Sequence, residues 1–303
     1  MRAARLYGGG DLRVADEPEP AAEPGQELVR VTAVGICGSD LHWWDEAGIG
    51  DAVITRPLVL GHEAAGVIEA GPRRGTRVAI DPAITCGRCR PCLDGYRNLC
   101  LNIRFAGHGD QDGAMLEPLG VAIHSADLGH LRLAGTASVI GCGPIGLLLI
   151  GVLKAAGARS VLAVEPLAHR REAAARMGAD QVCDSVAALD EAGVDVAFEA
   201  AGNDEAVGLA MASVRPGGRV VLAGIPGDDA IGFGASLARR KGLTIAMVRR
   251  MNEMYPRAIS LAERGVVDLG SVVTSRFGLG EVREAFTEGT RRTGLKVIVE
   301  PQR

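Results

Sequence analysis

The spacing of hydrophobic and polar residues divides the chain into a β-rich first part and a second part in which strands and helices alternate. Residues 27–34 alternate between polar and apolar positions, which predicts a half-buried strand. From Ala137 onward, short apolar runs are followed by stretches with apolar residues three and four positions apart. This alternation predicts a doubly wound parallel sheet. A last apolar alternation at residues 296–299 predicts a strand that returns to the first part. We therefore expect one domain from 1–122 and 266–303, and a second from 123–265.

The composition indicates an ordinary soluble globular protein. The 303 residues are 47% hydrophobic and 23% charged, with a net charge of −4. This charge argues against a nucleic-acid partner or an anionic membrane. The N-terminus lacks the apolar core of a signal peptide, and the longest apolar run, 145–153, is far too short for a membrane span. Seven cysteines, four of them clustered, suit metal binding in a reducing cytoplasm.

The clustered cysteines predict a structural zinc site. Cys86, Cys89, Cys92 and Cys100 are separated by two, two and seven residues. Four thiolates in one short lobe can close a tetrahedral shell, which leaves no position for a substrate. An iron–sulfur cluster is the rival interpretation, but the bacterial ferredoxin run ends in Cys-Pro and Leu101 follows here. Four unliganded cysteines are the third interpretation.

A second candidate metal site lies earlier in the chain. Cys37, His62 and Glu63 offer a thiolate, an imidazole and a carboxylate, all of which bind zinc. They can meet only if the fold brings two strand ends together, and such a site keeps the open position that catalytic zinc requires. The alternative is a buried cysteine and a capping histidine that never meet.

A glycine-rich turn predicts dinucleotide binding. Gly141, Gly143 and Gly146 follow an apolar strand and precede a helix, with Pro144 and Ile145 between them. The next predicted strand ends at Glu165, close to the expected distance for an acid that binds the adenosine ribose hydroxyls. Glu165 would repel a ribose phosphate, so NAD is favoured over NADP, although His169 and Arg170 keep NADP open. A plain tight turn is the alternative interpretation.

Taken together, these motifs resemble the zinc-containing medium-chain dehydrogenases, and most closely the sorbitol (L-iditol) dehydrogenase-like polyol dehydrogenases. The resemblance implies a GroES-like β-barrel catalytic domain interrupted by a Rossmann domain. It also implies hydride transfer between a polyol and NAD, one catalytic and one structural zinc, and a homotetramer or homodimer. The motifs that carry it are Gly35-Ile-Cys-Gly-Ser-Asp-Leu-His-Trp-Trp, Gly48-Ile-Gly, Pro57-Leu-Val-Leu-Gly-His-Glu, the four-cysteine lobe, Glu117-Pro-Leu, Gly141-Cys-Gly-Pro-Ile-Gly and Thr274-Ser-Arg-Phe.

The resemblance also implies roles for individual residues. Cys37, His62 and Glu63 match the catalytic zinc ligands, and Glu117 matches an acid that binds the zinc, its water or the substrate. The other implied roles are a residue that holds the zinc-bound imidazole (Asp40), a proton relay to solvent (Ser39 and His42), substrate contacts (Trp43 and Arg249) and cofactor contacts (Gly141, Gly143, Pro144, Ile145, Gly146, Glu165 and Arg170).

The sequence departs from the family pattern at one point. Relatives have a further barrel strand and an extended segment where Ala114 is followed here directly by Met115. A natural compact variant, an engineered deletion and missing residues all explain this. The loss could expose a sheet edge and displace Glu117. Two hypotheses follow: an active polyol dehydrogenase, with sugar-acid or threonine-type substrates as a variation, or an NAD- and zinc-binding protein without turnover.

Overall fold

The structure, a computed structural model, divides the chain into two units. The first unit comprises Met1–Glu117 and Val273–Arg303, and the second comprises Pro118–Val272. Of the 303 residues, those described are 1–50, 52–105, 113–185, 192–227 and 230–303.

The first unit is built on a five-stranded mixed sheet. Its strand order is β16-β17-β3-β6-β7, in which β16 and β17 are parallel and the other neighbours are antiparallel. The predicted C-terminal strand is confirmed as β17, which pairs with β3. The strands are β1 (Arg2–Gly8), β2 (Asp11–Asp16), β3 (Val29–Gly35), β4 (Gly48–Ile49), β5 (Ala52–Val53), β6 (Glu63–Ile68), β7 (Arg77–Ile80), β8 (Ala83–Ile84), β9 (Arg104–Phe105), β16 (Val273–Gly278) and β17 (Lys296–Glu300).

Helices of the first unit pack on its core. Two of them, α1 (Gly38–Glu46) and α9 (Val282–Arg291), approach closely, since a methyl group at Gly289 would lie 3.0 Å from Leu41. The core beneath them includes Leu6 and Phe286. A third helix, α2 (Arg90–Leu93), belongs to the cysteine lobe.

The junction at Ala114 and Met115 is buried in the first unit. Both residues lie in a 3₁₀ turn and are at most 1% exposed. Ala114 packs with Ala33 and Ile298. The shortened connection therefore seats apolar side chains in the core. The sequence that leads into this junction is Gly109-Asp-Gln-Asp-Gly-Ala, and its residues 109–112 lie outside the described residues.

The second unit is a parallel six-stranded sheet with intervening helices, as predicted. Its strand order is β12-β11-β10-β13-β14-β15. The order reverses between β10 and β13, where sheets of this kind bind ligands at the carboxyl ends of the strands. Its elements are α3 (Leu116–Gly129), β10 (Thr136–Ile140), α4 (Pro144–Ala155), β11 (Ser160–Val164), α5 (Ala168–Arg176), β12 (Gln181–Cys183), β13 (Val194–Glu199), α6 (Asp204–Ser213), β14 (Val214–Leu222), α7 (Ala235–Lys241), β15 (Thr244–Met247) and α8 (Tyr255–Glu263).

One element differs from its prediction. The sequence suggests a helix that stops at Pro216-Gly217-Gly218, but α6 already ends at Ser213 and β14 runs through these residues. The pairing with β13 is irregular here, which accommodates the left-handed Gly217 (φ +73°) within a strand. None of the helices in the described ranges has the length and apolar character to cross a membrane.

Candidate zinc and dinucleotide sites

The four-cysteine lobe has the geometry of a tetrahedral zinc site. Its Sγ atoms all lie within 4.8 Å of one another. The Sγ of Cys89 is 3.4 Å from that of Cys92 and 3.8 Å from that of Cys100. Four thiolates at about 2.3 Å from one zinc are about 3.8 Å apart. The Cys89–Cys92 and Cys89–Cys100 distances are close to this value, so the donor set of the lobe fits zinc.

The lobe stabilises the thiolate of Cys86, whereas burial raises the pKa of Cys92 to about 12. The backbone N–H groups of Arg88 and Cys89 lower the pKa of Cys86 to about 6. The N–H of Asn102 donates to the Sγ of Cys100 at 3.4 Å. Because zinc binds the thiolate form, these donors favour the state that coordinates metal. Across the described part of the chain, this is the only group of three or more Cys, His, Asp or Glu side chains placed to hold a metal ion.

Asp40 joins the two segments that carry Cys37 and His62. Its carboxylate accepts hydrogen bonds from the N–H of Cys37 at 2.9 Å and of Gly61 at 3.3 Å. The same carboxylate lies 3.4 Å from Nδ1 of His62. Burial lowers the pKa of His62, but Asp40 and Cys37 outweigh it, so this pKa is raised well above its ordinary value. The segments that carry Cys37 and His62 are thus brought together at Asp40, and a shared zinc site stays a prediction.

This arrangement suits metal binding at the Cys37–His62 pair. Because Asp40 lies at Nδ1, the Nε2 atom of His62 is the nitrogen that would coordinate a metal. A carboxylate behind a metal-binding imidazole fixes its tautomer and orientation. The donor set of one thiol and one oriented imidazole fits zinc. Asp40 contacts that imidazole, and its role at a zinc site stays a prediction.

Glu63 is engaged by a lysine that the sequence analysis did not identify. Glu63 begins β6, and its Oε2 forms an ion pair with Nζ of Lys296, the first residue of β17. Both side chains are at most 2% exposed. Gly35 of β3 makes room for them, because a methyl group there would lie 2.1 Å from Oε2 of Glu63. The predicted ligand Glu63 is thus a buried anion held by a buried cation, and its zinc role stays a prediction.

Glu117 belongs to the same electrostatic group. It lies in the first turn of α3 and is 5% exposed. Burial raises the pKa of Glu117 to about 7, and the charge of Glu63 adds to this, while His62 and Lys296 oppose it. All four predicted catalytic zinc ligands therefore interact within the first unit. They do not form a set of three close ligand atoms in the described structure, so a ligand role for Glu117 stays a prediction.

Helix α1 carries the predicted relay and aromatic residues. Ser39 and His42 are three residues apart and share a helical face. The Nδ1 atom of His42 lies 2.9 Å from Oε1 of Glu46. Trp43 packs against the core of the first unit. Arg249 lies in the second unit, two residues after β15. Its contact with the substrate stays a prediction.

The glycine turn of the second unit has the geometry of an anion-binding helix start. Gly141 has φ +93°, and a methyl group at Gly146 would lie 2.0 Å from the carbonyl oxygen of Gly141. Helix α4 begins at Pro144 with free N–H groups in its first turn. A methyl group at Gly143 would lie 3.8 Å from Nη1 of Arg170. Strand, turn and helix thus place backbone donors and a guanidinium at one point, which fits a dinucleotide phosphate.

Glu165 closes this turn at the end of β11. It is 4% exposed, and its two carboxylate oxygens accept hydrogen bonds from the N–H of Cys142 at 2.8 Å and of Leu167 at 3.0 Å. The carboxylate therefore links the glycine turn to the start of α5. A role in binding the ribose stays a prediction, because the structure shows only the contacts to the backbone.

Glu199 is a second buried acid that the sequence analysis did not single out. It is the last residue of β13 and accepts hydrogen bonds from the N–H of Ala201 and Gly202, both at 2.6 Å. The N–H of Gly224 is 3.3 Å from its other oxygen. Glu199 thereby shapes the carboxyl edge of the sheet beside the order reversal. The Ala-Ala-Gly sequence that follows Glu199 is the signal that could have identified this acid from the sequence.

Replacing Glu165 with alanine is expected to weaken NAD binding by about tenfold or more and NADP binding less. The variant loses an acceptor for the ribose hydroxyls, and it also removes a negative charge that opposes a ribose phosphate. Isothermal titration with each dinucleotide measures the two dissociation constants. If the affinities for NAD and NADP fall equally, the proposed role of Glu165 in binding the ribose is wrong. Its function would then be limited to the contacts with the backbone of Cys142 and Leu167.

Two domain families match the chain. The alcohol dehydrogenase GroES-like domain matches residues 23–126, and the zinc-binding dehydrogenase domain matches residues 144–264. These ranges cover the β-rich first part and most of the parallel sheet.

Individual relatives match nearly the whole chain. It is 33% identical to a sorbitol dehydrogenase of Bacillus subtilis, with 100% of this chain and 98% of the relative covered. It is 32% identical to a probable D-xylulose reductase A of Arthroderma otae, with 97% and 95% covered. The crystal structure of L-idonate 5-dehydrogenase from Escherichia coli superposes with a TM-score of 0.91 at 25% identity, with 99% and 97% covered.

The chain therefore belongs to the zinc-binding medium-chain alcohol dehydrogenase family. Within this family it is grouped with the polyol dehydrogenases. The fold class is confirmed: a GroES-like domain together with a Rossmann domain. The alignment with the Bacillus subtilis relative is 345 positions long, whereas this chain has 303 residues. The relative thus contains segments without a counterpart here, in agreement with the shortening expected from the sequence.

Proposed function

We propose that this protein is a zinc- and NAD-dependent dehydrogenase that interconverts a polyol of the sorbitol, iditol or xylitol type and the corresponding ketose. The observation that carries the proposal is the Cys37–Asp40–His62 arrangement, in which one buried carboxylate contacts both the backbone of Cys37 and Nδ1 of His62. The names of the sorbitol dehydrogenase and D-xylulose reductase relatives support a secondary alcohol as the substrate. The glycine turn and Glu165 support NAD.

The residues of the first unit have separate tasks in this reaction. When bound, zinc supplies Lewis acidity that polarises the substrate hydroxyl, and NAD supplies a hydride acceptor. Cys37 and His62 would hold the metal, and Asp40 keeps Nδ1 of His62 engaged so that Nε2 would be the ligand atom. Ser39 and His42 carry the hydroxyl proton towards solvent. Glu63 and Glu117 would supply negative charge at the site, and Lys296 offsets the charge of Glu63.

The remaining assignments complete the proposal. Trp43 and Arg249 contact the substrate, and Arg170 contacts the dinucleotide together with Pro144 and Ile145. Residues 1–122 and 266–303 form the catalytic domain, and 123–265 form the NAD-binding domain. None of the seven cysteines is in a disulfide, which supports a reducing cytoplasm as the location.

Two alternatives have an observation in their favour. Loss of turnover is supported by the Glu63–Lys296 ion pair and by the segments that relatives have in addition. The protein would then bind NAD and one structural zinc without catalysis. A sugar-acid substrate is supported by the similarity to L-idonate 5-dehydrogenase. A threonine-type substrate stays a variation from the sequence alone.

The test combines metal content with turnover. We expect about two zinc ions per chain by elemental analysis of freshly gel-filtered protein, one per predicted site. A screen of polyols with NAD is then expected to produce NADH, measured by absorbance. About one zinc per chain, with no NADH from any polyol, would contradict the proposal and favour the binding protein. NADH from sugar acids alone would change the substrate class and leave the enzyme class unchanged.

We also propose that the protein forms a homodimer or homotetramer through strand β15. This strand is at one edge of the six-stranded sheet, and Met247 on it is 63% exposed. An unpaired edge with apolar side chains is a template for pairing with a second copy. Light scattering is expected to give an oligomer for the parent protein and a smaller species for Met247→Pro. A monomeric parent protein would contradict this proposal.

A further inference from the structure

The side chains of His42 and Glu46 form a pair on the surface of α1. The Nδ1 atom of His42 lies 2.9 Å from Oε1 of Glu46, four residues later on the same helical face. The imidazole is 23% exposed, whereas the carboxylate is 49% exposed. The pair therefore runs from a half-buried ring to a group in contact with solvent.

The carboxylate determines which nitrogen of His42 carries the proton. An ionised carboxylate accepts hydrogen bonds and cannot donate them, so Nδ1 must be the protonated nitrogen in this contact. In the neutral ring, Nε2 is then the unprotonated nitrogen and can act as a base. In a serine–histidine–aspartate triad, a carboxylate on one ring nitrogen has the same effect on the other.

We propose that Glu46 is a positioning residue that makes His42 the terminal base of the proton path from the substrate hydroxyl. This inference rests on the proposed function and extends it by one residue. Nε2 of His42 accepts the proton delivered through Ser39, which gives an imidazolium whose charge faces Glu46. The proton then leaves to water, and neither Glu46 nor its bond to Nδ1–H changes. The step is a proton transfer and involves no oxidation or reduction.

The neighbouring acids of α1 do not share this role. Asp40 is buried and engaged by Cys37, Gly61 and His62. Asp45 interacts with His42 and Glu46 only through charge, and burial followed by the charge of Glu46 raises the pKa of Asp45. Asp45→Asn is therefore a matched control, because it removes one acidic charge from the same helix and leaves the His42–Glu46 contact in place.

A purely structural role predicts small effects. An exposed pair four residues apart on a helix contributes little to folding. Under that interpretation, Glu46→Ala would leave the tautomer of His42 and the turnover number unchanged. The tautomer and kcat therefore distinguish positioning from helix stabilisation.

The first measurement is the tautomer of His42 by ¹⁵N NMR of the full chain with zinc and without NAD or substrate, at a pH where the ring is neutral. We expect Nδ1–H in the parent protein and in Asp45→Asn. In Glu46→Ala we expect a shift towards Nε2–H, and His42→Gln assigns the resonances. An unchanged tautomer in Glu46→Ala overturns the proposal. The tautomer measurement does not require turnover, so it tests the role of Glu46 even if the proposed dehydrogenase activity is absent.

The second measurement is steady-state oxidation of the best polyol by NAD. A general base contributes about 100-fold to 10,000-fold to a rate. Because Glu46 acts through that base and is half-exposed, we expect kcat to fall about tenfold in Glu46→Ala, with KM for the polyol within about twofold. Glu46→Gln keeps an acceptor oxygen and is expected to lose less. A parent-like kcat in Glu46→Ala overturns the proposed role of Glu46. The proposed dehydrogenase function is not affected by that result, because the parent protein still forms NADH.

Discussion

Replacing Cys37 with serine is expected to lower polyol-dependent NADH formation by at least about 1000-fold and to leave NAD binding unchanged. A serine hydroxyl is a much poorer zinc ligand than a thiolate, and a Lewis acid that is lost or displaced removes several kcal/mol of stabilisation from the transition state. NAD binding persists because the glycine turn and Glu165 belong to the second unit. Steady-state kinetics and dinucleotide titration measure the two properties.

Cys183→Ser provides the matched control for this variant. Cys183 is a free, half-buried thiol at the end of β12, and it belongs to none of the predicted metal sites. We expect parent-like turnover and about two zinc ions per chain in the control, against about one zinc in Cys37→Ser. Loss of NAD binding together with turnover in Cys37→Ser would show that the two units do not divide the functions as proposed.

Replacing Lys296 with methionine is expected to destabilise the folded protein by about 3–5 kcal/mol, because Glu63 is left as a buried charge without its partner. Both groups are almost completely buried, so water cannot replace the lysine. The double variant Glu63→Gln/Lys296→Met removes both charges and is expected to recover most of the loss. Urea unfolding followed by circular dichroism measures the free energies.

Lys154→Met is the control for the loss of a lysine ion pair. Nζ of Lys154 lies 2.8 Å from Asp180, and both side chains are partly exposed. Such pairs contribute about 0.2–1 kcal/mol, so the effect is expected to be small. If Lys296→Met costs no more than Lys154→Met, water or the metal site compensates the Glu63 charge, and the ion pair is not what holds Glu63.

The shortened connection leaves the first unit with a core of its own. Ala114 and Met115 are buried against the five-stranded sheet, and Glu117 follows them into the electrostatic group of His62 and Glu63. The charges of His62 and Glu63 act on Glu117, and its position relative to a zinc ion stays a prediction. Turnover of the parent protein decides whether this placement is sufficient for catalysis.

Local sequence determined the features that depend on a few consecutive residues. The spacing of Cys86, Cys89, Cys92 and Cys100 brings four thiols together because turns at this length leave little other choice. Gly141 and Gly146 specify the dinucleotide turn because side chains would collide there. Alternating strands and helices specified the parallel sheet, since each amphipathic helix must cover the strands beside it.

Tertiary structure decided the features that join distant segments. Lys296 meets Glu63 only because β17 and β6 flank β3 in one sheet, and a single lysine before an apolar run gives no signal of this pairing. Asp40 contacts His62 because the first turn of α1, which carries Asp40, lies against Gly61, the residue before His62. The partners of a buried charge are chosen by the whole packed sheet, since the cost of burying the charge must be offset wherever the fold places it.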